Sequence, residues 1–491
     1  MHDRTTQEGP AAPALDDGRP ARDRVATWLL ALACAVGLLR LVRLGEWGLW
    51  IDEVFTYADA VNRGSDVNPF GYALWRAWLG LVGPLPDEFD LRLPAAVLGL
   101  LCVPLTAFAA RPLVGARPAA AAALLLAASS WHLYWSQNAR FYTLAMALSL
   151  FGAGLALRGA RANRLPTLLV GWAVAATACL VHPSSALALP GLVAGPLFVR
   201  RSPLRLHGRT RRVALAVLVV AAVVGSLWAY DVLWLWDRKK GVGNPAHLVL
   251  TTGFFVTPVA AAAALFGAID VARRRPHPAT IALWVAFAGL GGAAAASLFV
   301  RTSAQYVFVL LPWVLVLAVA PLARAHANRS DERGSDAPAL HGFAAIAWVG
   351  VLAATALTNS LLQLTVRHGE RPMWREAWSV VAEQRRDGDL VLGMAAPVGQ
   401  YYLEPGCTNP RDLTALSYLN PYAYDAPMRA AALGRRTWFV VNQERFAEWP
   451  VELRDELRRL LREDCRLVAD FPLQIESRDL GVQVFLREPR P

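Results

Sequence analysis

Two adjacent carboxylates, Asp52 and Glu53, lie in a tryptophan-rich stretch that directly follows the first long apolar run of the chain. A carboxylate in such surroundings is costly to desolvate and usually serves binding or catalysis. An ionised carboxylate can act as a general base that takes the proton of an attacking hydroxyl group. The residues alone leave a second interpretation equally open, in which both acids are solvated and cap a short interfacial helix.

Several cations interrupt the later apolar runs, where they would face the acidic stretch if those runs cross a membrane. Together they predict an anion-binding pocket, because a planar guanidinium can bond two phosphate oxygens at once. Simpler explanations exist for two of them: Arg140 at a helix end would reach the lipid headgroups, and Asp237 would pair with Arg238. The cations in question are Arg140, Arg238, Lys239, Lys240 and Arg301.

The elements that must position these residues are predicted to be membrane helices. Of the 491 residues, 55% are hydrophobic and only 18% are charged, and the mean hydropathy is +0.34. A soluble domain has about 25% charged residues, so this composition excludes a soluble globular enzyme, a disordered chain and a fibrous protein. About eleven apolar segments approach the length that crosses a membrane, at 25–42, 94–110, 118–135, 139–157, 165–181, 184–199, 213–235, 248–271, 279–300, 306–323 and 341–362. The pair at 165–199 could also be one long helix, although the His-Pro-Ser-Ser sequence at 182–185 is the natural break.

Arginine-rich gaps alternate with gaps that contain few cations, and cytoplasmic loops carry the excess of Arg and Lys. This rule places the polar leader 1–24 and the arginine-rich gaps in the cytoplasm. The first long loop, 44–93, and the segment 363–491 then lie on the outer face. Because most of the basic residues occupy such gaps, the net charge of +11 does not indicate a nucleic-acid partner.

The segment 363–491 has a different composition and predicts a small α/β domain. Short apolar runs at 390–392 and 437–441 are typical of strands, and 451–463 is typical of an amphipathic helix. Cys407 and Cys465 could form a disulfide on the outer face or remain two thiols, since sequence does not fix their distance. The predicted organisation is thus a disordered leader (1–24), a transmembrane domain (25–362) and an extracytoplasmic α/β domain (363–491).

Several short motifs occur in a fixed order along residues 45–320. They are Trp50-Ile51-Asp52-Glu53, Asn68-Pro69 with Tyr72, Glu88 through Arg92-Leu93-Pro94, Tyr134-Trp135-Ser136-Gln137, Ala139-Arg140-Phe141-Tyr142, and Tyr306 with Pro312 after Arg301. In these motifs the chain resembles the membrane-embedded GT-C glycosyltransferases, specifically the bacterial group near the protein O-mannosyltransferases and the aminoarabinose lipid A transferases. Asn68-Pro69-Phe70, Asn138 and Gln305 depart from the family pattern and leave the donor sugar open.

The resemblance implies a GT-C fold and a donor sugar linked through phosphate to a polyprenyl lipid. The acceptor would be a lipid, a cell-wall glycan or a protein, and the transfer would be a single inverting displacement on the outer face. Asp52 is the predicted base, and Glu53 would orient it, bind the acceptor or help to hold a metal. A divalent cation, Mg²⁺ or Mn²⁺, is thereby allowed but not required.

The resemblance also implies roles for residues near the donor. Arg140 and Arg301 are the predicted clamps on the lipid phosphate, with Lys239 and Lys240 as further candidates. The side chains of Tyr142 and Tyr306 would hydrogen-bond the phosphate or the sugar. His182 would contact the donor or a metal, or it would simply stand at a helix break.

Two other function classes fit a polytopic chain. A transporter or lipid flippase would show internal repeats and polar residues near mid-membrane, whereas here the polar residues gather at predicted outer helix ends. A receptor with a ligand-binding outer domain would leave the acidic first loop unexplained. The sequence therefore favours a glycosyltransferase, with the transporter as the alternative.

Overall fold

The computed structural model describes residues 23–489 except 63–67, 199–203, 241, 274–276, 332–337, 405–415, 422–423, 425–431 and 433. Side chains are not described within 235–240 and 324–342. The predicted leader therefore lies almost wholly outside the described residues. Cys407 lies outside them as well, so its bridge to the half-buried Cys465 stays a prediction.

The part of the chain before the C-terminal domain is helical. Its helices are α1 (Arg24–Gly37), α2 (Ile51–Asn62), α3 (Pro69–Val82), α4 (Glu88–Val114), α5 (Ala116–Ala128), α6 (Ser130–Ser136), α7 (Tyr142–Arg161), α8 (Leu165–Val181), α9 (Leu189–Phe198), α10 (Gly208–Lys240), α11 (Pro245–Phe255), α12 (Pro258–Arg273), α13 (Thr280–Ser297), α14 (Ala304–Val307), α15 (Leu311–Asp331) and α16 (Pro338–Thr365).

Each of the eleven predicted apolar segments overlaps an apolar helix. In the described part of the chain, six helices are long and apolar enough to cross a membrane, or seven if one bent pair is a single span. Four further apolar helices are shorter than a full span: Ala116–Ala128, Leu165–Val181, Pro183–Phe198 and Thr280–Ala296. A polytopic helical membrane protein is thus confirmed, while the number of spans stays a prediction.

The predicted segment 248–271 is bent in the structure. It was predicted as one span, and it consists of α11 and α12, which meet at an angle of 105° as a broken span or a re-entrant loop. Pro258 begins α12, and proline disfavours a helical conformation in the residue before it. Val256, which caps the end of α11, is extended, with φ −93° and ψ 112°. The break at His182 is present as expected, because His182 is extended (φ −154°, ψ 126°) between α8 and Pro183.

The helices α7 and α8 pack closely through glycines. A Cβ atom added at Gly152 would lie 2.4 Å from the backbone nitrogen of Ala175, and one added at Gly171 would lie 2.3 Å from that of Ala156. Small residues at such crossings let helix backbones approach in lipid. This contact fixes α7 against α8.

The C-terminal domain is a small α/β unit. Its five-stranded sheet has the order β2-β1-β3-β7-β4, in which β1 is parallel to β2 and β3, and β7 is antiparallel to both its neighbours. The predicted strands and the predicted helix 451–463 are all present. The elements are α17 (Trp374–Gln384), β1 (Leu390–Gly393), α18 (Ala396–Leu403), β2 (Leu416–Tyr418), β3 (Thr437–Asn442), α19 (Gln443–Ala447), α20 (Val451–Glu463), β4 (Arg466–Phe471), β5 (Gln474–Ile475), β6 (Arg478–Asp479) and β7 (Val482–Arg487).

Hydrogen bonds dock this domain onto the first loop. The Tyr402 hydroxyl donates to a Glu88 oxygen over 2.9 Å and accepts from the backbone N–H of Leu49 over 2.7 Å. Arg375 on α17 donates to the same Glu88 oxygen over 3.2 Å. The domain therefore sits directly against the loop that carries Asp52.

Packing of α7 on α8 is tested by adding one methyl group. We expect Gly152→Ala to lower the midpoint of thermal unfolding in detergent, because overpacking costs about 1–3 kcal/mol. The matched control is Gly291→Ala on α13, where nothing lies within 4 Å of the added Cβ. There the midpoint should stay or rise, since alanine favours helix by about 1 kcal/mol over glycine. Equal midpoints for the two variants would contradict the close approach.

Candidate functional site

Glu53 forms a fully buried ion pair at the start of α2. Its carboxylate and the Arg92 guanidinium are both 0% exposed, and they meet through two hydrogen bonds of 2.7 and 2.8 Å. Glu53 also accepts from the backbone N–H groups of Ala139 (2.9 Å) and Trp50 (3.2 Å). A second cation, Arg371, lies 3.8 Å from the same carboxylate.

These partners keep Glu53 ionised. Burial by itself raises the pKa of the Glu53 carboxyl, but the charges of Arg92 and Arg371 outweigh burial and bring the pKa to about 2. Arg92 in addition donates to the backbone oxygens of Leu44, Trp47 and Gly48. The pair therefore fixes both the segment before α2 and the first turn of α2.

Asp52 has a different environment from its neighbour. Its side chain is half-buried, and no described residue donates a hydrogen bond to its carboxylate. The residue occupies the first turn of α2, where the helix dipole favours negative charge. An ionised carboxylate with unused lone pairs is suited to accept a proton.

Arg140 lies beside Asp52. Its Nη1 donates to the Asp52 backbone oxygen over 3.1 Å and to the Thr56 hydroxyl over 2.8 Å. Its charge interacts with Asp52 and with Tyr142, and its guanidinium carbon lies 5.9 Å from the centroid of the Tyr142 ring. The buried Nε of Arg140 has no partner among the described atoms. One donor of this cation thus remains available to a ligand.

An aromatic row continues from Arg140 into the helical domain. The Tyr142 and His182 rings lie 4.9 Å apart, and the His182 and Tyr306 rings stack with centroids 5.8 Å apart. His182 Nδ1 also lies 2.6 Å from the Ser184 hydroxyl. All three rings are at least nine-tenths buried. The structure thus brings together Asp52, Arg140, Tyr142, His182 and Tyr306.

Of the other predicted cations, Arg301 lies apart from this group. It is exposed, and its charge lies near His247. No contact of Arg301 with Asp52 or Arg140 occurs among the described residues. Arg301 precedes Tyr306 in the chain, but the turn between them directs only Tyr306 into the row. Lys239 and Lys240 end α10, and their side chains lie outside the described part.

Glu53 does not fit a metal ligand or an acceptor contact. Its two oxygens are taken by Arg92 and by backbone N–H groups, and the residue is sealed from solvent. Within the described ranges, no three His, Cys, Asp or Glu side chains are grouped as ligands for a metal ion. Of the roles predicted for Glu53, the geometry supports the one that orients Asp52.

Sequence reasoning missed the two arginines that hold Glu53. Arg92 belongs to one of the family-like motifs, and its place one turn from the acidic Glu88 and Asp90 was the available signal. Arg371 follows the last apolar helix, and no motif or spacing in the sequence distinguishes it from the other arginines of the chain. Its contact with Glu53 depends on the tertiary structure.

The fold is that of the GT-C glycosyltransferases. ArnT from Cupriavidus metallidurans aligns with a TM-score of 0.56 at 17% identity, over 94% of this chain and 97% of that one in the apo state. A second ArnT structure, bound to undecaprenyl phosphate, aligns with the same TM-score and identity over 95% and 98%. An oligosaccharyltransferase from Archaeoglobus fulgidus, tethered with an acceptor peptide, has a TM-score of 0.53 at 12% identity over 87% and 70%.

The sequence matches a family model over part of its length. The model for dolichyl-phosphate-mannose-protein mannosyltransferases covers residues 66–230, which include Arg140, Tyr142 and His182 but not Asp52. No curated protein matches the chain by sequence. The structural and family matches agree with the predicted GT-C resemblance and favour a membrane glycosyltransferase over a transporter.

The buried pair is tested with charge-removing variants. We expect Arg92→Gln to be strongly destabilising, by about 3–5 kcal/mol, because it leaves Glu53 without its main buried partner. The double variant Glu53→Gln/Arg92→Gln should lose less than the two single variants added together. Thermal unfolding in detergent measures both, with exposed Arg458→Gln as the control. Strict additivity of the two substitutions would contradict the pairing.

Proposed function

We propose that this chain transfers a sugar from a polyprenyl-phosphate-linked donor to an acceptor hydroxyl on the outer face of the membrane. Asp52 is the base, and the anomeric centre is inverted. The observation that carries this proposal is an Asp52 carboxylate without a hydrogen-bond donor among the described residues, next to the partly unpaired guanidinium of Arg140. The alternation of arginine-rich gaps along the chain supports the outer location of this site.

The leaving group decides what the site must supply. When the sugar leaves, the bond between the anomeric carbon and the phosphate oxygen breaks, and a lipid phosphate is released. This group is already a stable anion and needs no general acid. It needs a cation and hydrogen-bond donors, and Arg140 with Tyr142 provides both. His182 and Tyr306 extend this surface towards the helices against which a lipid tail would lie.

The acceptor hydroxyl, which attacks the anomeric carbon, needs a base. A hydroxyl is a poor nucleophile until a base accepts its proton. Asp52 accepts that proton while the acceptor oxygen forms its bond to the anomeric carbon on the face opposite the phosphate. One displacement of this kind inverts the stereochemistry, as in inverting glycosidases.

The remaining predicted ligands have narrower places in this proposal. Glu53 fixes the first turn of α2 and thereby positions Asp52, and it takes no part in bond making. Glu53 does not fit as a ligand for Mg²⁺ or Mn²⁺. The proposed transfer is therefore described through the side chains alone, with proton removal by Asp52 and phosphate binding by Arg140. Arg301 is proposed as an outer contact of the donor or acceptor, away from the reacting atoms.

Asp52 is tested by removing its charge without changing its size. We expect Asp52→Asn to reduce transfer from labelled polyprenyl-phosphate sugars by about 10²–10⁴-fold, the usual contribution of a general base. The readout is label incorporated into acceptor in membranes, at matched protein abundance. Glu46→Gln, an exposed carboxyl in the same loop, is the control and should retain activity. Full transfer by Asp52→Asn would reject the assignment.

Arg140 is tested through the donor. We expect Arg140→Ala to raise the donor KM by roughly 10–100-fold, because a charge-assisted hydrogen bond contributes about 1.5–3 kcal/mol. Arg140→Lys should recover part of the loss, since it retains the charge. Arg76→Ala on α3 serves as the control, because Arg76 is exposed and donates to a backbone oxygen. An unchanged donor KM in Arg140→Ala would leave only a structural contact to α2.

A further inference from the structure

A polar cavity of about 120 Å³ lies between the first loop and the C-terminal domain. Water needs about 10–15 Å³ of such space, so the cavity holds several waters or one small polar group. It reaches the residue next to the proposed base, because Ile51 is part of its wall. The lining residues are Trp50, Ile51, Tyr134, Glu370, Arg371, Pro372, Trp374, Asn442, Glu444, Arg445, Arg478 and Leu480.

Buried donors in this wall have no hydrogen-bond partner among the described atoms. Arg371 is only 2% exposed, yet its Nε and Nη1 bond to none of them. The indole N–H of Trp50 is buried and unpaired as well. An unsatisfied buried donor costs about 1–3 kcal/mol, and a charged one costs more. These three nitrogens therefore favour a ligand that offers oxygen acceptors.

The charge of Arg371 is also poorly compensated. Glu53 lies 3.8 Å away, but that carboxylate already makes two hydrogen bonds with Arg92. Burial and the neighbouring charge of Arg92 lower the pKa of Arg371 to about 10. The remaining bond of its guanidinium runs to the backbone oxygen of Gln137. The single buried carboxylate of Glu53 thus compensates the charges of two buried cations, Arg92 and Arg371.

The acidic residues of the wall are themselves occupied. Glu444 accepts from Arg478 over 2.7 and 3.4 Å, and Glu370 lies 3.5 Å from Arg367. Burial raises the pKa of the Glu370 carboxyl, and the charge of Arg367 offsets part of this rise. Three arginines and two glutamates line the cavity, so its wall carries one net positive charge. Such a wall suits a single oxyanion.

We propose that this cavity binds an oxyanion, a phosphate or a carboxylate, that the acceptor carries close to its reacting hydroxyl. The inference rests on the proposed function, because it needs Asp52 as the base for that hydroxyl. Arg140 contacts Asp52 and the aromatic row and takes the donor phosphate. Arg371 and Trp50 line the cavity next to the C-terminal domain and take the acceptor. The enzyme thus binds the two anionic groups at different cations.

Binding is measured without turnover, on the full chain in detergent micelles. The probes are inorganic phosphate and glucuronate, with neutral glucose as the reference, in equilibrium dialysis at constant ionic strength. The background variant is Arg140→Ala, which removes the donor clamp, so that any remaining site is the cavity. We expect saturable binding of phosphate, glucuronate or both, and none of glucose. Which of the two probes binds identifies the oxyanion.

Two further substitutions in that background locate the site. Trp50→Phe removes the indole N–H while keeping an aromatic ring, and Arg371→Lys keeps the charge but removes the planar fork. Each should weaken binding about tenfold or more, as expected for a lost charge-assisted bond. The control Arg458→Gln, on the exposed face of α20, should bind as the background does.

Three results would overturn the proposal: binding of neither anion, unchanged affinity in both cavity variants, or equal loss in the control. Failure of the proposed function appears elsewhere, as retained transfer by Asp52→Asn. The two failures are therefore distinguishable, because the dialysis needs no donor and no reaction.

Discussion

The buried ion pair of Glu53 and Arg92 is the interaction on which the rest of the site depends. Glu53 directly follows Asp52, and the backbone N–H from which it accepts belongs to Ala139, which directly precedes Arg140. One carboxylate therefore fixes the proposed base and the proposed phosphate clamp relative to each other. Because both oxygens are used and the side chain is sealed from solvent, the spacing between Asp52 and Arg140 does not depend on flexible surface contacts.

Two neighbouring acids of the same chemistry thus have opposite environments. The Glu53 side chain is enclosed by cations and N–H donors, which explains its low pKa, whereas Asp52 keeps its lone pairs for a proton. A buried ion pair is a poor source of stability, since desolvation offsets most of the attraction. Its value here is positional, because it holds a first turn of helix in which the adjacent Asp52 must stay unbonded. The docked C-terminal domain completes this arrangement, since Arg371 directly precedes it.

The sequence predicted those parts of the site that follow from local pattern. The helical segments were visible as apolar runs, and the carboxylates of the first loop and Arg140 stood out as polar residues at their ends. The bend between α11 and α12 lies just before Pro258, and the apolar pattern of the sequence did not predict it. Arg301 was predicted as a phosphate clamp because of its place at a helix end. The direction of its side chain, however, is set by the packing of the turn that follows it. Arg92 and Arg371 act through tertiary contacts 39 and 318 positions from Glu53, which no local pattern encodes.

Arg371 follows α16, so it is synthesised after every membrane helix of the described chain. Until Arg371 has been synthesised, Glu53 has only Arg92 as a cationic partner. The cavity beside Trp50 also lacks the wall that Arg371 and the C-terminal domain provide. A chain that stops after α16 therefore lacks Arg371 and the wall that the C-terminal domain adds to the cavity.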